Sequence, residues 1–175
     1  EEEELRRVIP VLEGLGADYP LPISVDTWRS RVAQEALSRG ACIINDITAL
    51  RGDLNLTKVV AEYKAGLILM HMRGNPQNMQ NNTDYEDLIG EVKIFLTGQL
   101  EQAVRAGVRP EQVVNDPGIG FGKSVDGNLE LVRSLSAFSE GVAGVLVGPS
   151  RKSVIGKILN REPEHRLWGT AARVA

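Results

Sequence analysis

The sequence predicts an α/β fold built on a parallel sheet. Short apolar segments alternate with longer amphipathic segments along the chain, and no low-complexity linker interrupts them. The short segments are almost wholly apolar, which is typical of parallel strands covered on both faces. We predict strands at residues 22–25, 42–44, 67–70, 113–114 and 145–147, and helices at residues 28–38, 56–64, 84–106, 127–135 and 153–159.

The helix predictions depend on periodicity and on glycines. In the first helix the apolar residues Val32, Ala33, Ala36 and Leu37 form the stripe of a helix that packs on a sheet. Glycines are expected at helix ends, where a left-handed residue is needed, and Gly40, Gly66 and Gly107 are the candidates. The chain also ends in a helix-like pattern at residues 171–175.

Polar residues follow all five predicted strands. They are Asp26-Thr27, Asn45-Asp46, His71-Met72, Asp116-Pro117-Gly118 and Ser150-Arg151-Lys152. An open doubly wound sheet concentrates its ligands at one switch point, whereas a TIM (β/α)₈ barrel collects them from many strand ends. We therefore predict a barrel. A complete barrel has about 250 residues, so we expect about five of the eight βα units here, in one domain over residues 1–175 that is incomplete at both ends, with strand edges exposed at residues 22–25 and 145–147.

Composition restricts the classes of function. The chain of 175 residues is 42% hydrophobic and 25% charged, with a net charge of −3 and no basic cluster, which argues against nucleic-acid binding. Its apolar runs are far shorter than the roughly 20 residues of a membrane span. The single cysteine, Cys42, lies in an apolar run, so we expect a buried thiol in a reducing compartment.

Each polar strand end also has an explanation without a ligand. Asp26 is suited to cap the helix that follows it, and Asn45 and Asp46 are typical turn formers. A lone histidine such as His71 is more often a hydrogen-bonded core residue than a base, and Arg151 and Lys152 would usually be solvated. The recurrence of polar residues at five strand ends favours a ligand site over these separate explanations.

The segment 116–124, DPGIGFGKS, resembles a nucleotide-binding loop but has the wrong spacing. A P-loop requires glycine where Pro117 stands, and a dinucleotide fingerprint requires glycine at Lys123. The segment instead offers a flat backbone, an exposed aromatic ring at Phe121, and a carboxylate and a lysine within eight residues. This combination suits a planar, nitrogen-rich heterocycle.

Five motifs in order give the chain a specific resemblance. The segments ISVDT (23–27), INDI within 43–47, LMHMRGNP (69–76), DPGIGFGK (116–123) and GPSRKS (148–153) resemble the motifs of the dihydropteroate synthase family over nearly the whole chain. The resemblance implies a folate-pathway transferase, the target of sulfonamides, in which a pterin lies in the mouth of the barrel. The pterin-binding residues that it implies are Asp26, Asn45, Met70, Asp116, Phe121, Gly148 and Lys152.

The resemblance also implies roles for these residues. Asp26, Asn45 and Asp116 would bind the donor edge of the pterin, since carboxylates and amides accept its N–H groups. Lys152 and Asp116 would be the catalytic residues, with Lys152 between the two substrates. A para-aminobenzoate pocket would be formed by Phe121, Ser150, Arg151 and Lys152.

The implied reaction condenses 6-hydroxymethyl-7,8-dihydropterin diphosphate with para-aminobenzoate to give 7,8-dihydropteroate and diphosphate. Mg²⁺ is the expected cofactor, with its ligands outside this chain. The expected partners are these small molecules, with no nucleic acid or membrane, and the whole protein is expected to be a cytoplasmic homodimer. Because the family's first and last strands are missing, we expect the chain alone to be inactive. Two alternatives remain open: a methyltransferase of the same pterin-binding barrel superfamily, and a non-catalytic barrel relic used for binding.

Overall fold

The computed structural model describes residues 1–16 and 19–174, with side chains to residue 172. Its sheet consists of β1 (Ser24–Asp26), β2 (Ile43–Asp46), β3 (Gly66–Met70), β4 (Val113–Asp116) and β5 (Gly144–Val145). All four neighbouring pairs are parallel, and the strands follow the order of the chain. The strand order does not reverse, as it would at the switch point of a doubly wound sheet, and this agrees with the predicted barrel.

A helix follows every strand. The helices are α1 (Glu2–Leu15), α2 (Ser30–Leu37), α3 (Leu56–Tyr63), α4 (Leu88–Arg105), α5 (Val125–Arg133), α6 (Ser153–Leu159) and α7 (Leu167–Val174), with 3₁₀ turns at Met79–Asn81, Pro110–Gln112, Leu135–Phe138 and Pro163–His165. The sequence did not predict α1. The helix-like pattern at residues 171–175 belongs to α7 as far as Val174, and Ala175 lies outside the described residues.

Capping residues explain where the helices start. α2 starts at Ser30 rather than at residue 28, and Asp53, in the loop after β2, accepts the Ser30 amide at 2.8 Å. α4 starts at Leu88 rather than at residue 84, because the Asp87 side chain caps it. α5 starts at Val125, two residues earlier than predicted, after a serine cap.

The sheet has one face toward the helices and one toward the opposite side. Alternate residues of the strands form the helix-facing core, which includes Val25, Ile44, Leu67, Leu69 and Val113. The opposite face carries the polar candidates at its carboxyl edge. Among the described residues, β1 and β5 lie at the two ends of the strand order, where the exposed edges were predicted.

Two local predictions are wrong. Cys42 is exposed, because it precedes β2 at the amino edge of the sheet instead of lying within the buried strand. Gly66 does not end a helix: it begins β3, and the left-handed residue that ends α3 is Lys64, with φ of 52°. Gly40 and Gly107 do have the expected positive φ, 98° at each. None of the helices in residues 1–16 and 19–174 combines the length and apolar character of a membrane-crossing helix.

Candidate functional site

The site lies at the carboxyl ends of the strands, on the face away from the helices. Asp26 lies opposite Asn45 in the register of β1 and β2, and Met70 lies opposite Asp116 in β3 and β4. Asn45 pairs with Ile68, two residues before Met70, so all four site residues project from the same face. The prediction placed these polar residues after the ends of their strands. In the structure they still belong to the strands: Asp26 and Asp116 are last residues, and Asn45 is next to last.

Asp26 and Asn45 form a hydrogen-bonded pair. Asn45 Nδ2 donates to Asp26 Oδ1 at 2.9 Å, and since a carboxylate only accepts, this bond fixes the orientation of the amide. Asn45 Oδ1 is then buried with no hydrogen-bond partner among the described residues. Asp26 itself is exposed and does not cap α2, because that role belongs to Asp53. The pair thus presents a carboxylate and an unsatisfied amide oxygen.

Asp46 has a different role from Asn45. Its Oδ1 accepts hydrogen bonds from the amide and the hydroxyl of Thr48, both at 2.7 Å, and its Oδ2 accepts from the amide of Leu50 at 2.6 Å. These bonds close a turn in which Ala49 and Leu50 are left-handed. The turn-former interpretation is therefore right for Asp46, whereas Asn45 faces the site.

Asp116 is the buried carboxylate of the site. Asp116 is only 6% exposed, and its Oδ1 accepts a hydrogen bond from the amide of Gly118 at 2.7 Å. Burial raises the pKa of Asp116, while the bond from Gly118 and the positive charges of Lys152 and Lys123 act in the opposite direction. The site thus holds a carboxylate in a poorly solvated place, where a charge-assisted hydrogen bond to a ligand is strong.

His71 and Lys123 form a second buried pair beside Asp116. Lys123 Nζ lies 3.0 Å from His71 Nδ1, and the two residues are 4% and 6% exposed. Burial and nearby positive charges, above all that of Lys123, lower the pKa of His71 to about 3. Burial also lowers the pKa of Lys123 to about 7, although the charge of Asp116 raises it. His71 is thus the hydrogen-bonded core histidine that its context favoured.

Lys123 does not face a ligand, contrary to the interpretation of the 116–124 segment. Its ammonium also donates to the carbonyls of His71, Gly118 and Phe121 at 3.2, 3.1 and 2.8 Å. The left-handed glycines of this loop bring the carbonyls inward, so the hydrogen-bond donors of the lysine are used within the loop itself. No local pattern predicts this arrangement, since His71 and Lys123 are 52 residues apart.

Lys152 and Phe121 meet close to Asp116. Lys152 Nζ lies 4.3 Å from the centroid of the Phe121 ring and donates to the carbonyl of Ile119. Phe121 is half-buried rather than exposed. A Cβ at Gly148 would lie 3.7 Å from Lys152 Nζ, an ordinary van der Waals distance, so Gly148 lies beside the ammonium.

Ser150 and Arg151, the other two residues of the predicted para-aminobenzoate pocket, are exposed. Arg151 is left-handed, with φ of 48°, and its amide donates to Thr170 Oγ1 at 2.9 Å. This bond ties the loop before α6 to α7. The segment is thus fixed by its backbone, while its polar side chains remain available to a ligand.

The described residues do not form a magnesium site. In residues 1–16 and 19–174, no three His, Cys, Asp or Glu side chains converge in a way that could hold a metal ion. Magnesium is commonly held by one or two carboxylates together with substrate phosphates, and the described residues alone do not complete such a site. We therefore derive no chemical step through magnesium.

Comparisons with known proteins indicate one family. A family model described as "Pterin binding enzyme" matches residues 1–175. The dihydropteroate synthase of Synechocystis sp. is 49% identical over 97% of this chain and 59% of its own length, and that of Escherichia coli is 42% identical over 98% and 60%. The chain thus spans about 60% of the length of these relatives.

Solved structures of the same family also match this chain. Yersinia pestis dihydropteroate synthase in a sulfonamide drug complex matches with a TM-score of 0.93 at 38% identity, over 99% of this chain and 62% of that chain. The Thermus thermophilus enzyme in complex with 6HMPPP matches with a TM-score of 0.90 at 42% identity, over 98% and 68%. These likenesses confirm the α/β barrel fold and its partial extent. The full-length match to the family model, together with the arrangement of Asp26, Asn45 and Asp116, shows that this chain belongs to the pterin binding enzyme family.

Proposed function

We propose that this chain is the pterin-binding part of a dihydropteroate synthase. The observation that carries the proposal is the unsatisfied Oδ1 of Asn45, which lies on the same sheet face as the carboxylates of Asp26 and Asp116. A buried acceptor without a partner is costly unless a ligand donor satisfies it. Three acceptors on one face match a planar ring whose edge carries amino and ring N–H donors.

The reaction is a displacement at the pterin's methylene carbon. The amine nitrogen of para-aminobenzoate forms a bond to this carbon, the carbon–oxygen bond to diphosphate breaks with its electron pair leaving on diphosphate, and the amine loses a proton. Asp116, Asn45 and Asp26 orient the ring, and Lys152 provides a positive charge beside Phe121 where the second substrate approaches. The displacement needs no covalent bond between a substrate and the protein.

The names of the relatives favour this activity over the alternatives. The two compared in sequence are called dihydropteroate synthases, and a third relative, 41% identical, is a folic acid synthesis protein from Pneumocystis carinii. This favours a synthase over a methyltransferase. The sulfonamide drug complex of the Yersinia pestis enzyme further supports sulfonamide binding by this protein. For the whole protein we also expect magnesium dependence, a homodimer and a cytoplasmic location.

Calorimetric titration of the full-length protein with a pterin analogue tests the site. Asp116→Asn should weaken binding roughly ten- to a hundredfold, because one charge-assisted hydrogen bond contributes about 1.5–3 kcal/mol. Asp126→Asn, on the exposed first turn of α5, is the matched control and should bind as the wild type does. Lys152→Ala should lower turnover as well as binding. Wild-type affinity in Asp116→Asn would rule out the proposed pterin site.

A further inference from the structure

The loop after β4 is held almost entirely by side chains. In this segment, which we call the glycine loop (residues 117–122), Gly118, Gly120 and Gly122 have φ of 73°, 83° and 64°. Its five consecutive carbonyls from residue 118 to residue 122 each accept a hydrogen bond from a side chain. The donors are Lys123 for residues 118 and 121, Lys152 for residue 119, Gln80 for residue 120 and Tyr85 for residue 122.

Lys123 differs from the other donors because it is buried. Its Nζ lies within 2.8–3.2 Å of three carbonyl oxygens and of His71 Nδ1, and the residue is 4% exposed. An ammonium has only donors, so the surrounding acceptors hold it in the way that they would hold a bound cation. The network assigns the His71 proton to Nε2, which leaves Nδ1 as an acceptor.

The glycine loop connects Lys123 to the pterin site at two points. Gly118 accepts from Lys123 through its carbonyl and donates to Asp116 Oδ1 through its amide at 2.7 Å. Phe121 also accepts from Lys123 through its carbonyl, and its ring lies against the Lys152 ammonium. The backbone at Gly118 is closely packed, because a Cβ there would come within 1.9 Å of the His71 carbonyl oxygen.

We propose that Lys123 is a positioning residue of the pterin site. It sets the glycine loop so that the amide of Gly118 orients the Asp116 carboxylate. The buried ammonium does not touch the pterin, and it acts through Asp116. This inference rests on the proposed function, because it assigns a role in the same site.

A double-mutant cycle on pterin affinity tests the inference in the full-length protein. Lys123→Met keeps the length of the side chain but removes the charge, and it should weaken the binding of a pterin analogue by roughly tenfold or more. In an Asp116→Asn background, the loss of affinity caused by Lys123→Met should be smaller by a factor of at least about three. The reason is that the group through which Lys123 acts is already altered. Lys93→Met, which removes an exposed lysine paired with Glu140 at 2.9 Å, should leave affinity unchanged.

The outcomes separate this inference from the proposed function. Equal losses in both backgrounds, or wild-type affinity in Lys123→Met beside weak binding in Asp116→Asn, overturn the positioning role and leave the function standing. Wild-type affinity in Asp116→Asn overturns both. If Lys123→Met does not fold, His71→Leu removes one of the four acceptors and keeps the lysine. It should weaken binding about threefold and lose that effect in the Asp116→Asn background, and an unchanged affinity contradicts the inference.

Discussion

The middle of the sheet and its edges hold the candidate site in different ways. In the middle, Asp116 is 6% exposed, its carboxylate is oriented by Gly118, and the adjoining loop is fixed by buried Lys123. At the edges, Asp26 on β1 and Ser150 after β5 are exposed. The same fold thus gives one carboxylate a rigid, poorly solvated setting and the other a solvated one.

The difference follows from the number of neighbours of each strand. β3 and β4 each pair with a strand on both sides, so their carboxyl ends lie between other loops that supply donors and exclude water. β1 and β5 each pair on one side within the described residues. A buried carboxylate forms stronger hydrogen bonds with a ligand than an exposed one, because water competes less. The middle of the sheet should therefore dominate both stability and pterin affinity.

Substituting one glycine in each region gives the largest expected contrast. Gly118→Ala should lower the free energy of unfolding by about 3 kcal/mol or more, because the new Cβ would lie 1.9 Å from a backbone oxygen at a φ of 73°. At Gly144 in β5 a Cβ would meet nothing within 4 Å, so Gly144→Ala should raise that free energy by about 0.5–1 kcal/mol. Urea denaturation of both variants measures the contrast, and similar effects would remove the distinction between middle and edge.

The buried His71 predicts a pH dependence of stability that comes from the middle of the sheet. Its pKa is about 3 in the folded protein and 6.5 in the unfolded chain, so only the unfolded chain takes up a proton between these values. The contribution of His71 to the free energy of unfolding is fully present above pH 6.5 and is lost as the pH falls toward 3. From pH 7 to pH 5 the loss should be about 2 kcal/mol.

Denaturant unfolding at both pH values tests this expectation. The charged groups that act on His71 are Lys123, Arg51 and Arg73, so the comparison needs a variant that keeps them. His71→Gln does so and should show a smaller difference between the two pH values than the wild type. His165→Gln, at an exposed position, should retain the wild-type difference. An equal pH dependence in wild type and His71→Gln would show that His71 is not responsible.

Local patterns in the sequence predicted the strands and the residues at their ends. All five strands lie within two residues of their predicted positions, because apolar β-type runs bounded by polar residues are a local signal. Contacts between distant residues were not predictable in this way. The start of α2 depends on Asp53, 23 residues beyond Ser30, and the role of Lys123 depends on carbonyls that only the folded loop brings together.

Asp26 should show the smallest effect, and it completes the comparison between edge and middle. Its carboxylate is exposed and already accepts from Asn45 Nδ2, so a ligand bond there competes with water. Asp26→Asn should therefore weaken binding of a pterin analogue only about two- to fivefold, in line with exposed charged pairs, against the roughly ten- to a hundredfold expected for Asp116→Asn. Calorimetric titration of both variants in the full-length protein gives the ratio. If Asp26→Asn costs as much as Asp116→Asn, then Asp26 is as well shielded in the whole protein as Asp116, and the strands beyond this chain must cover the edge of β1.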